Sequence, residues 1–382
     1  MTSRVQDSST TPPTNTAADA ENKDASARPT TFASTEVTAQ LVRQHRATTV
    51  KRWLIIALLV AVAIIGFIAA TVVGPTNLGA RGVVLGLINP GSLNSQDHTV
   101  LYSLRLPMSV MALLVGIVLS VAGAQMQTIL GNPLAEPFTL GISAAAAFGG
   151  AATIVLGWVI IDQPQFNLAM VAWVSAMIAT FVIVGASIWR GASAETMILL
   201  GIGLVFLFQA LLALIQYRAS TEALQQIVFW SMGSMTRATW AGNLVLAIVV
   251  VISIPIFVLL SWRLTALKLG DARAQAMGVN VQRLRVGVLV LCSLMAATAV
   301  AFSGIIGFVG LVGPHIARML VGEDQRYFIP ASAAAGAVML SVSHAVSMLI
   351  IPGVAVPIGI ITALVGVPFF ITLIVTKRRN LW

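Results

Sequence analysis

The sequence predicts an all-α integral membrane protein of about ten transmembrane helices, with both termini on the cytoplasmic side. Three observations carry this. Hydrophobic residues make up 58% of the chain and charged ones only 9%, with a mean hydropathy of +0.93, whereas soluble domains are about 25% charged. Apolar windows long enough to cross a bilayer recur along the chain. The Lys and Arg residues are sorted to alternate ends of those windows, as the positive-inside rule requires.

In chain order, residues 1–50 are rich in Ser, Thr, Ala, Asp and Pro. Such a segment buries too little apolar surface to offset ordering and is expected to be a disordered cytoplasmic tail. Residues 51–382 are expected to form a ten-span permease domain. Arg43, Arg46, Lys51 and Arg52 precede the first span, Trp53–Val73, and set the N-terminus inside. Residues 74–107 read as an outside loop. Spans follow at Met108–Leu130, Phe138–Gly157, Leu168–Trp189, Thr196–Tyr217 and Ala241–Trp262, then at Val286–Phe302, Ile306–Leu320, Pro330–Ile350 and Pro357–Thr376. Ile306–Leu320 is short and broken by Gly307, Gly310, Gly313 and Pro314. Without it, the basic end Lys377-Arg378-Arg379 would fall outside. Outside segments hold only Arg81, Arg105, Arg218 and Arg237. Gly116, Ser120 and Gly123 share a spacing that lets helix backbones approach closely.

The basic loop Arg263–Arg285 holds five bases and one acid, Asp271. Asp271 can cap a short helix Ala272–Met277, Gly278 suits its left-handed end, and Asn280 can cap the next span. A helix of about six residues does not persist alone, so it must lean on its own spans or on another chain. A charge anchor that only sets topology is the competing reading. Outside, Ser220 or Thr221 can start a surface helix with an apolar face of Leu224, Ile227 and Val228, ended by Gly233. This reads as a helix lying at the outer surface beside the mouth of a pathway. The competing reading is an interfacial anchor with an aromatic belt of Phe229, Trp230 and Trp240.

Several functions are disfavoured. The single Cys292 permits no intrachain disulfide and no cysteine metal cluster. The bases sit at span ends rather than in an aromatic-lined groove, so nucleic acid is not a partner. Gly-Lys never occurs, so the chain carries no phosphate-binding loop for ATP. No nucleophile–base set or metal-ligand spacing stands out. No acid or base sits mid-span, which disfavours an ion-coupled carrier. That class stays open, because His315 or His344 could relay a proton.

Five stretches together resemble the permease family of ABC importers for iron–siderophores, haem and cobalamin. They are LRLP at Leu104–Pro107, GNPLAEPFTLG at Gly131–Gly141, LQQIVFWSMGS at Leu224–Ser234, LGDARAQAMGV at Leu269–Val279, and SGIIGFVGLVGPHIAR at Ser303–Arg318. The resemblance implies a type II ABC importer permease, paired with a second copy or a paralogue. It implies a cytoplasmic ATPase dimer that uses ATP and Mg, an extracytoplasmic substrate-binding protein, and no cofactor on this chain. Leu269, Gly270, Asp271, Ala274, Met277 and Gly278 then resemble an ATPase-coupling helix. Asn132, Pro133, Leu134, Ser193 and Glu195 resemble gate or pathway positions. Arg105 and Arg237 become docking residues for the binding protein, with Met108 standing where many relatives carry a second Arg. Gly307, Gly310, Pro314, His315 and Arg318 form a structural motif. The implied cargo is a metal chelate, an iron–siderophore first, with cobalamin or haem as alternatives.

Overall fold

The computed structural model describes residues 31–74, 78–190, 193–351 and 353–376. It separates Met1–Val50 from a larger unit, Lys51–Trp382. Most of the tail and the terminal Lys377, Arg378 and Arg379 lie outside the described residues. The first helix, α1 (Thr31–Val72), begins about twenty residues before the expected span. Residues 31–50, expected to be disordered, are therefore helical. From Trp53 onward α1 is apolar and turns Leu54, Leu58 and Ile65 outward, as a helix facing lipid does.

The stretch expected as an outside loop is largely ordered. It holds α2 (Gly79–Ile88), a short 3-10 turn at Pro90–Ser92 and α3 (Ser95–Thr99), which Asn94 caps by accepting from the Asp97 amide at 2.7 Å. A π-helical turn, Val100–Arg105, leads into α4 (Leu106–Leu130). Leu78, Val83, Leu101 and Leu106 form a small core against which Phe67 and Val72 of α1 pack.

Helix α4 is the central post, and its small residues are the reason. A Cβ at Gly116 would strike the backbone of Gly336, and one at Gly123 the backbone of Gly310. Ser120 Oγ donates to the Ser332 carbonyl at 2.6 Å. These contacts bring α4 against α13 (Val309–Val321) and α14 (Gln325–Leu349) at backbone distance, as small residues do in membrane helices. Around this pack α5 (Ile142–Leu156), α6 (Pro164–Arg190), α7 (Ala194–Arg218), α9 (Trp240–Leu259), α12 (Val281–Ser303) and α15 (Ile358–Thr376). With α1, α4, α13 and α14 these correspond to the ten predicted spans, each within several residues of its expected position except α1, which starts early. Among the described residues seven helices are long and apolar enough to cross a membrane, and α5, α13 and α15 are shorter apolar helices. Between them lie α8 (Thr221–Ser231), α10 (Ser261–Leu267) and α11 (Asp271–Ala276). Among the described residues there is no strand, only an isolated bridge between Ile351 and Val354.

Two crossings are not continuous helices. Helix α13 has 13 residues, about 20 Å at the α-helical rise, less than the ~30 Å hydrocarbon thickness. Residues 304–308 complete the passage as irregular chain, ending at Phe308 in the left-handed region with φ 69°. The Phe308 side chain lies where a Cβ on Gly366 of α15 would be. The chain also turns back at Gly131 and climbs beside α7, where Leu140 packs on Gly201 and Gly141 on Leu204, before α5 begins. Irregular backbone at membrane depth is tolerated only where protein or a water-filled cavity covers it. The 304–308 break is largely covered by protein, whereas the 131–141 segment buries Leu140 and Gly141 and leaves Pro133, Leu134 and Phe138 exposed.

Candidate functional site

The inner face carries the chemistry. Gly270 (φ 92°) opens α11, and Gly278 (φ 84°) closes it. The Gly278 amide donates to the Gln275 carbonyl at 2.9 Å, and the Val279 amide to the Ala274 carbonyl at 3.0 Å. That is a Schellman end, and its accompanying apolar contact pairs Val279 with Ala274. Both residues are buried in the main core. A six-residue helix persists here because one side is fastened to its own spans. Leu269, Ala272, Arg273, Gln275, Ala276 and Met277 face outward. Asn280 caps α12 as expected, accepting from the Arg283 amide at 3.0 Å.

Two expectations for this helix are corrected. Ala274 is fully buried, so it anchors the helix and cannot touch a partner. Asp271 does not cap α11; Gly270 holds the cap position without any side-chain bond. The Asp271 carboxylate instead accepts two hydrogen bonds, both 2.7 Å, from the Arg285 guanidinium. Arg285 Nε donates at 2.8 Å to the Ile129 carbonyl, in the last turn of α4. The planar fork of Arg suits such a three-bond set. Reading Arg285 as one more topological base missed this, because its partners lie 14 and 156 positions away.

Just beyond Ile129 the chain makes the turn expected as a gate. Gly131 is left-handed at φ 58°. Asn132 Oδ1 accepts from the Leu134 amide at 2.9 Å, and its carbonyl from the Ala135 amide at 3.1 Å. The Asn-Pro pair thereby makes a self-bonded turn that leaves Pro133 and Leu134 exposed. A second turn follows, with Thr139 Oγ1 bonded to both the amide and the carbonyl of Glu136. The half-buried Glu136 carboxylate sits beside Gly310 at the start of α13. Phe138 faces Gly307. Ser193 caps α7, accepting from the Thr196 amide at 3.1 Å, and Glu195 is exposed in its first turn. Ser193 thus has a local structural duty that its position alone did not announce.

A second cluster joins the same end of α4 to α13. Glu323 pairs with Lys268 at 2.9 Å and with Arg318 at 2.8 Å. Arg318 also donates to Gln127 Oε1 at 2.8 Å. Burial pushes the Glu323 carboxyl up, but hydrogen bonds and charge from Lys268 and Arg318 outweigh it and hold the group below the usual glutamate range. Burial pulls the Lys268 ammonium down, with Glu323 opposing that shift. The His315 ring lies edge-on to Phe369, 5.9 Å between centroids. Pro314, Gly310 and Gly313 pack in the interior of the bundle.

At the outer face the docking expectations meet a correction. Arg105 is only 4% exposed. Its Nη1 donates to the carbonyls of Val72 at 2.7 Å and Thr71 at 3.3 Å, closing the C-terminal end of α1. It is committed inward and cannot meet an acid on another protein. Arg237 stays exposed, though its guanidinium reaches the Trp230 and Ser303 carbonyls at 3.5 and 3.4 Å. Ser220 caps α8 as expected, accepting from the Ala223 amide at 3.2 Å. The buried side of α8 is Ile227 with Trp230, while Leu224 and Val228 are exposed. Trp230 packs against Gly150 in place of joining an interfacial belt. The 3.6-residue period located the helix but not which stripe its neighbours would cover.

A multi-pass helical bundle with broken crossings, a self-bonded Asn-Pro turn and a short helix fastened to its own spans is the architecture of a membrane transport subunit. The chain belongs to the FecCD transport family, which it matches over residues 49–376. It is 32% identical to the hemin transport system permease protein HmuU of Yersinia pestis, over 80% of this chain and 92% of that protein. It is 35% identical to the vitamin B12 import system permease protein BtuC of Vibrio vulnificus, over 75% of this chain and 86% of that one. A solved structure titled as an inward-facing conformation of a metal-chelate-type ABC transporter superposes with a TM-score of 0.73 at 31% identity, covering 85% of this chain and 99% of that one. The protein is an ABC importer permease of the cell membrane.

Proposed function

We propose that this chain is the membrane subunit through which an ATP-driven importer moves an intact metal chelate, an iron(III)–siderophore, into the cytoplasm. The observation that carries this reading is the pairing of an exposed coupling helix, α11, with a gate turn at Gly131–Leu134 fastened to the same inner framework. ATP and Mg act on a separate ATPase dimer, which grips Leu269, Arg273 and Met277. A binding protein delivers the chelate at the outer face, where Arg237 remains accessible. A binding-protein salt bridge at such a rim would steer encounter more than hold the complex. A second copy or paralogue closes the other half of the path. Leu134, exposed on a rigid turn, is the apolar plug, with Asn132 and Pro133 shaping the turn and Ser193 and Glu195 beside the opening.

Haem or cobalamin is the second reading, favoured by the names of two of the relatives. The test is uptake of a labelled ferric siderophore, haemin and cobalamin by cells with and without this gene, together with purification of the tagged chain. Siderophore uptake that requires the gene, and an ATPase recovered in stoichiometric amount, are the expected results. Uptake by the chain alone, collapsed by a proton uncoupler and indifferent to ATP, would replace this reading with an ion-coupled carrier.

A further inference from the structure

We propose that Arg285 is a positioning residue, a rigid strut that transmits movement of the coupling helix α11 to the gate turn. The inference rests on the proposed role of α11 and extends it to a residue that touches neither the ATPase nor the cargo. The geometry is specific. One guanidinium spans two elements, with both terminal nitrogens at 2.7 Å from the Asp271 carboxylate on α11. Its Nε lies 2.8 Å from the carbonyl of Ile129 on α4. Ile129 lies two residues before Gly131, where the gate turn begins. The Arg285 side chain is 11% exposed, against 49% for Asp271, so the link runs from the surface into the packed interior.

Three features suit this arrangement to carry a displacement. The carboxylate–guanidinium contact is bidentate and charge-assisted, so it resists rotation as well as extension. The far end holds a carbonyl in the last turn of α4, one of those a helix cannot satisfy within itself. The turn beyond it is bonded to itself through Asn132, so it can shift as one body. A second tether, Arg318 to Gln127, holds the same end of α4 to α13. The last turn of α4 is therefore held from several sides. Arg285 ties it directly to α11, Arg318 reaches the start of α11 only indirectly, through Glu323 and Lys268, and Gln325 of α14 bonds Thr128. Lys at position 285 would keep the positive charge and lose the three-bond fork.

The test uses the full chain with its co-purifying ATPase in membranes. A Leu134→Cys reporter is labelled with a maleimide, with and without a non-hydrolysable ATP analogue and Mg. The native Cys292 is buried and stays silent. In the Arg285-containing protein the analogue is expected to change the labelling rate at least threefold. With Arg285→Lys the change falls below about 1.5-fold, while the ATPase is recovered as before and still shields a Met277→Cys reporter. Asp271→Asn, which keeps the side-chain shape, serves if Arg285→Lys fails to accumulate, and is expected to blunt the response in the same direction. Combining the two should be no worse than Arg285→Lys alone. A threefold response that persists in Arg285→Lys and Asp271→Asn overturns the strut. So does a Leu134→Cys reporter that never responds although ATPase is bound, or a variant that loses its ATPase. Failure of the unmodified chain to recover any ATPase overturns instead the functional reading on which the strut rests.

Discussion

At the residue scale, glycines divide by what surrounds them. Gly123 abuts the Gly310 backbone, while Gly185 on α6 has open space around it. Gly123→Val is therefore expected to force α4 and α13 apart, at a cost of roughly 3 kcal/mol or more. Gly185→Ala should be neutral or gain up to about 1 kcal/mol through helix propensity. Thermal melting of the detergent-solubilised protein compares them; equal melting temperatures would refute the close approach. Arg105 makes a related point. Arg105→Gln removes charge-assisted bonds to the end of α1, worth about 1.5–3 kcal/mol, and should lower the melting temperature while leaving affinity for a binding protein intact. A variant that melts normally but binds that protein poorly would restore the docking role.

At the element scale, the turn joining α13 to α14 is held by Lys268, Glu323 and Arg318. The Glu323 carboxyl is depressed in the folded protein, so its stabilisation is present above the unfolded value and is lost as pH falls through the folded one. With an ordinary glutamate near 4.5, melting temperature should drop below about pH 4.5, and Glu323→Gln should flatten that acid limb. Half of the Glu323 side chain is exposed, and such pairs are screened by solvent and salt. The effect at neutral pH is accordingly expected to be small. A variant with an unchanged acid limb would assign the loss to other carboxylates. Helix α11 shows how an element escapes local rules. Its end signal, Gly278, and the Asn280 cap of α12 that follows were legible because they act within three or four residues. Its start was misread because Asp271, a good cap by type, has a stronger partner in Arg285. A paired charge in a half-dry site outbids a single amide.

At the scale of the whole molecule, residues 2–30 are rich in Ser, Thr and Ala with few large apolar side chains, and their deletion is expected to leave chelate uptake within about twofold of normal. A dead transporter would give the tail a function. The helical crossings and their order were written in the chain, because lipid demands an apolar run of set length at a crossing; the orientation is what the charge sorting predicts. The close packing of α4 was also legible, since Gly116, Ser120 and Gly123 recur at a helical spacing. Tertiary structure alone decided which polar side chains meet. Arg105 turned inward to the end of α1, Trp230 was covered by Gly150, Ala274 faced the core, and Arg285 found Ile129 across 156 positions. A hydrophobic run reports its solvent, which is the same all along the bilayer. A guanidinium reports only its charge, and the carbonyl or carboxylate that takes it is chosen by whichever helices the packing brings within about 3 Å.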